Sequence, residues 1–125
     1  MFLNKEEEGD IIKTVIFDFD GVINSYRSGW QGVGEFPDPP VEGINEEIQR
    51  IREAGYEIVV VSTRCYQENG VEDIQDYLDR YGIEVDSVTH EKPPAVVTID
   101  DRAICFDGEP SGLLEKIQDF KPWYK

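Results

Sequence analysis

Short apolar runs rich in β-branched residues recur along this chain, and two of the stretches between them carry apolar side chains at helical spacing. The first run, Ile11 to Phe17, is apolar almost throughout and predicts a central strand buried on both faces. Ile44, Ile48 and Ile51 then recur at i, i+4 and i+7, predicting a helix over 44–54 that Gly55 ends. Tyr56 to Val61 reads as a second buried strand. A helix from Glu68 or Val71 to Tyr81 gathers Val71, Ile74, Tyr77, Leu78 and Tyr81 on one side, and Gly82 closes it. Shorter strands are predicted at 83–88, 95–99 and 103–106. After a turn at Gly108-Glu109-Pro110, a last helix covers 111–120 with Ser111 as its N-cap.

Strands and helices alternating in units of about 30 residues imply βαβ crossovers and a parallel sheet. The expected fold is α/β: a three-layer, Rossmann-like parallel sheet of about five strands with helices on both faces. A length of 125 residues suits one domain over residues 1–125. Two segments stand outside the alternation. Residues 1–10 form a polar leader. Residues 21–43 hold glycines at 21, 29, 32, 34 and 43 and prolines at 37, 39 and 40, a connection long enough to suggest a functional loop or minimal lid. Tyr26, Trp30 and Phe36 argue that this loop is ordered. Trp123 and Tyr124 in the tail are expected to pack back onto the body.

Charge narrows the partners. With 27 acidic and 12 basic residues, the formal net charge is −15. No basic stripe is visible, so a long nucleic acid is a poor partner. No apolar run approaches the roughly 20 residues a membrane span needs, and Met1 to Glu8 lacks the regions of a signal peptide. A cytoplasmic location is expected, with Cys65 and Cys105 reduced. Cys105 reads as a small core residue, and Cys65 as a neighbour of the site.

In parallel α/β sheets, ligands bind beyond the carboxyl ends of the strands. The residues there are Asp18 and Asp20, then Ser62, Thr63 and Arg64, then His90 and Lys92, then Asp100 and Asp101. Asp18-Phe19-Asp20-Gly21 alone also fits a strand end followed by an Asx-type turn. Four carboxylates on one rim repel one another, and a divalent cation relieves this. An all-oxygen donor set of carboxylates, carbonyls and waters suits Mg²⁺.

The order Asp18-x-Asp20-Gly21, Ser62, Lys92, Asp100-Asp101 resembles the four motifs of the haloacid dehalogenase-like hydrolases, across Val15 to about Phe106. The Ser62-Thr63-Arg64 and Asp100-Asp101-Arg102 forms resemble those of polynucleotide 3′-phosphatases in the same superfamily. The resemblance implies a Mg²⁺-dependent phosphomonoester phosphatase working through an aspartyl-phosphate on Asp18. Asp20 is then the acid and base, with its carbonyl on the metal. Ser62 holds a phosphoryl oxygen, Lys92 balances charge, and Asp100 and Asp101 serve the metal. Loop 21–43 stands where many members insert a cap, so no separate cap domain is expected. A small phosphorylated metabolite or nucleotide is the expected substrate; a polynucleotide 3′-phosphatase and a non-catalytic phosphate- or nucleotide-binding module are the alternatives.

Some of these residues carry two readings. Arg64 reaches a phosphate or pairs with a carboxylate. Tyr26, Arg27, Trp30 and Gln31 form a small lid in which an aromatic and a guanidinium stack a base or sugar and hold a second phosphate, or Trp30 only anchors the loop. His90 is more simply a surface residue than a catalytic one.

Overall fold

The structure, a computed structural model, describes residues 5–6 and 10–125, with side chains from residue 12 onward. The expected polar leader lies largely outside the described residues. Within it, β1 (Lys5–Glu6) and β2 (Asp10–Ile11) form a two-residue antiparallel ladder. The elements that follow are β3 (Thr14–Asp18), α1 (Ile44–Glu53), β4 (Glu57–Val61), α2 (Gly70–Arg80), β5 (Ser87–Thr89), β6 (Val97–Ile99) and α3 (Leu113–Asp119). β3 to β6 make a four-stranded, all-parallel sheet in the order β5-β4-β3-β6. The chain is therefore α/β with a parallel sheet. No helix among the described residues is long and apolar enough to cross a membrane.

The two central strands are the most apolar, as burial requires. Alternation along them puts Val15, Phe17, Ile58 and Val60 on one face. There they join Ile48 of α1 and Ile74, Tyr77 and Leu78 of α2 in one buried cluster. Ile16 and Val59 point to the other face and are also buried. Both packed helices thus share one face. The opposite face has no comparable helix among the described residues, because the crossover from β5 to β6 is a short segment, residues 90–96, and α3 buries none of its residues.

Other boundaries moved for local reasons. The first strand begins at Thr14, where pairing with Glu57 starts, rather than at Ile11. The predicted strand at 103–106 does not form. Cys105 and Phe106 are exposed, so this apolar run has no burial to offset the cost of ordering an extended edge, and the parallel sheet has four strands. Cys105 is accordingly not a core residue, whereas Cys65 is buried. α3 starts after Gly112, at φ 89°, and Ser111 does not cap it.

Candidate metal and phosphoryl site

Strand register assembles the acidic cluster. Phe17 lies opposite Ile99, so the next residues, Asp18 and Asp100, leave the sheet side by side at its carboxyl end. Asp101 follows. One carboxylate oxygen from each of Asp18, Asp100 and Asp101 lies within 4.8 Å of the others. The Asp101 side chain is almost fully buried, at 3 % exposure. It accepts a 2.7 Å hydrogen bond from the Tyr124 hydroxyl. Gly21 makes the close approach possible: it sits at φ 82°, and a Cβ there would overlap the Asp101 carboxylate.

Among the described residues, no cation pairs with Asp18 to compensate its charge. Burial, a hydrogen bond with Asp101, and the negative charges of Asp100 and Asp101 push its carboxyl up to about 8, against a smaller opposing pull from the Phe19 backbone. The donor set is all carboxylate oxygen, closely spaced and short of positive charge, which is the chemistry a hard divalent cation such as Mg²⁺ takes. A bound cation would remove the reason for protonation.

Asp20, two residues along, is in the opposite condition. Its Oδ1 accepts from Asn24 Nδ2 at 2.9 Å and its Oδ2 from Arg64 Nε at 2.7 Å. Its side chain is no member of the carboxylate cluster. The chain after it makes one tight turn, with Ile23 and Asn24 N–H both donating to the Phe19 carbonyl at 3.0 Å.

Arg64 explains why the glycine- and proline-rich loop is ordered. Its side chain is 2 % exposed, and besides Asp20 it donates from Nη1 to the Gly32 and Val33 carbonyls at 2.9 and 2.7 Å. Its guanidinium lies 4.5 Å from the Trp30 ring and 4.6 Å from the Phe36 ring. Phe36 in turn meets Phe19 and Tyr77 edge-to-face, and the Tyr77 hydroxyl donates to the Asp38 carbonyl at 2.9 Å. Carboxylate pairing, one of the two readings of Arg64, is formed with Asp20. Trp30 anchors on Arg64 yet stays 56 % exposed.

Ser62 follows Val61, the register partner of Asp18, and is buried; its Oγ accepts from the Arg64 N–H at 3.2 Å, capping a short 3₁₀ turn over Thr63–Tyr66. Lys92 is exposed and lines a groove with Val59, Ser87 and Thr89, and among the described residues no hydrogen bond or ion pair joins it to Asp18. The cation that does reach the acidic cluster is Arg102, whose Nε is 3.9 Å from Asp101 Oδ2. Arg27 is exposed in the loop. His90 packs against Tyr66 with its ring tilted by 42°, ring centroids 4.4 Å apart, as a surface residue. Burial pushes the Cys65 thiol up, away from reactivity.

Sequence reasoning did not assign Tyr124, Trp123, Asn24 and Arg102 to the site. The expectation that the tail packs back holds: Trp123 Nε1 donates to the Gly21 carbonyl at 2.7 Å, beside the Tyr124 bond to Asp101. The aromatic pair was the available signal. Comparison with protein-family models, with curated proteins and with solved structures finds no match.

Proposed function

We propose that the chain is a Mg²⁺-dependent phosphomonoester phosphatase of the haloacid dehalogenase-like type, acting through an aspartyl-phosphate on Asp18. The observation that carries this reading is the convergence of Asp18, Asp100 and Asp101 with Asp18 left uncompensated. Asp18, Asp100 and Asp101 would hold the cation, with the Asp20 carbonyl as a further donor in keeping with the family resemblance. The cation supplies charge neutralisation for the nucleophile and the phosphoryl oxygens.

Asp18 then attacks phosphorus, and the ester oxygen leaves with a proton from Asp20. Water next attacks the phosphorus of the aspartyl-phosphate, giving its proton to Asp20, and Asp18 is restored as phosphate departs. Asp20 accepts one bond at each oxygen, from Asn24 and from Arg64, which leaves a lone pair on each for the proton it transfers. Ser62 Oγ has a proton free to donate to a phosphoryl oxygen while it accepts from Arg64. Arg102 is better situated than Lys92 to balance charge at the cluster.

A second reading has its own support. An Asp20 engaged at both oxygens suits a module that binds phosphate through a cation and does no chemistry. Release of inorganic phosphate from p-nitrophenyl phosphate separates the two. The phosphatase releases it with Mg²⁺ and stops when EDTA is added. Mg²⁺-dependent phosphate binding without turnover would instead select the binding module.

A further inference from the structure

Beside the acidic cluster the surface changes sign. A groove of about 410 Å³ opens between the loop turn at 26–30 and the carboxyl-terminal residues. That size falls within the roughly 300–1,000 Å³ of small-molecule sites. Its lining includes three cationic side chains, Arg27, Arg102 and Lys125, three aromatic rings, Tyr26, Trp30 and Tyr124, and no Asp or Glu side chain. In a chain where acids outnumber bases 27 to 12, a wall drawn at random would carry the opposite charge.

The groove is joined to the acidic cluster by its own residues. Tyr124 donates to Asp101 and stands 3.3 Å from Arg102 Nε. Tyr26 meets Tyr124 edge-to-face, ring centroids 5.7 Å apart. Tyr26 is held in the left-handed region at φ 59°, where its N–H donates to Asn24 Oδ1 at 3.1 Å and its carbonyl accepts from Gly29 at 3.0 Å. The same Asn24 donates to Asp20, so one buried amide holds both the motif carboxylate and the Tyr26 backbone. Among the described residues, no carboxylate pairs with Arg27 or Lys125.

We infer that this groove binds a nucleoside bisphosphate, resting on the phosphatase reading of Asp18. One phosphoryl group lies at Asp18. The base lies against the exposed ring surface of Trp30, Tyr26 and Tyr124, because every base offers a face for stacking. The second phosphate meets Arg27 and Lys125, where a guanidinium supplies paired donors and an ammonium a point charge. The net charge of −15 opposes a longer polyanion, which confines the site to a single nucleotide.

The test is calorimetric titration of the Asp18→Asn chain with Mg²⁺ present, using adenosine 3′,5′-bisphosphate, adenosine 5′-monophosphate and a 3′-phosphorylated trinucleotide. The bisphosphate is expected to bind about tenfold tighter than the monophosphate, the return on one added charge-assisted contact. Arg27→Gln with Lys125→Gln, both at exposed positions, is expected to bring that ratio to about one with the melting temperature unchanged. Equal affinities in the unsubstituted groove, or a preference that survives the double substitution, overturn the assignment. Tighter binding of the trinucleotide overturns the single-nucleotide limit. Since the readout is binding, a groove that behaves as described in a chain inert toward p-nitrophenyl phosphate refutes the catalysis alone. Turnover without the bisphosphate preference refutes the groove alone.

Discussion

Asp18 and Asp20 stand two residues apart on one strand end, the same residue type in the same short motif, and the fold treats them oppositely. Asp18 is part-buried beside Asp100 and Asp101, and keeps its proton up to about 8. Asp20 is gripped by Arg64 and Asn24. The difference comes from what the rest of the chain brings up. β6 delivers two carboxylates to one, while the turn after β4 delivers a buried guanidinium to the other. A pair of aspartates at a strand end thus becomes one group short of a cation and one group that ties a loop to the body.

Substitutions at each carboxylate sharpen that contrast. Asp18→Asn is expected to lower phosphate release by at least about 10³-fold, the scale seen when a nucleophile is removed, with the fold intact by circular dichroism. Arg64→Leu is expected to cost at least about 2 kcal/mol in urea denaturation, since it leaves a part-buried carboxylate unpaired on one side and orphans two loop carbonyls. A loss below about 1 kcal/mol, the worth of an exposed pair, would show that Arg64 does not pin the loop.

The pH dependence is the next largest effect. Between the ordinary carboxyl value of 3.8 and about 8, the native metal-free chain keeps a proton on Asp18 that the unfolded chain has lost. Its stability therefore falls as pH rises through that window. Thermal melts should show this fall, Asp18→Asn should flatten it, and Mg²⁺ should raise the melting temperature more at pH 8 than at pH 5, because bound ligands must be deprotonated. The smallest effect belongs to Tyr124→Phe, which removes one hydrogen bond to Asp101. It is expected to weaken Mg²⁺ binding about tenfold through the altered support of a ligand, while Arg52→Gln, on a surface ion pair with Glu84 and Asp86, leaves it unchanged.

The central strands were legible because an unbroken β-branched run has no polar face to offer water: Ile58, Val59 and Val60 are all buried, from both sides of the sheet. The isoleucine and tyrosine stripes of α1 and α2 were legible for a related reason, since helical spacing gathers them on one face. Ala103 to Phe106 misled because an apolar run says nothing about whether a neighbouring edge is within reach. The acidic cluster was legible as far as it depends on strand ends, since a parallel register sets Asp18 beside Asp100 once both strands are placed. The position of Lys92 depends on the path of an irregular crossover, and no periodicity encodes that. Arg64 was undecidable from spacing, because its partners Asp20, Gly32 and Val33 lie 31 to 44 residues away.

The most direct test of the contrast between the two aspartates is to quench turnover of p-nitrophenyl phosphate with acid and map the phosphorylated peptide by mass spectrometry. The account predicts a phosphoryl group on Asp18 and none on Asp20, and no label in Asp18→Asn. Phosphate release with Asp18 unmodified, or a phosphoryl group carried by Asp20, would contradict it.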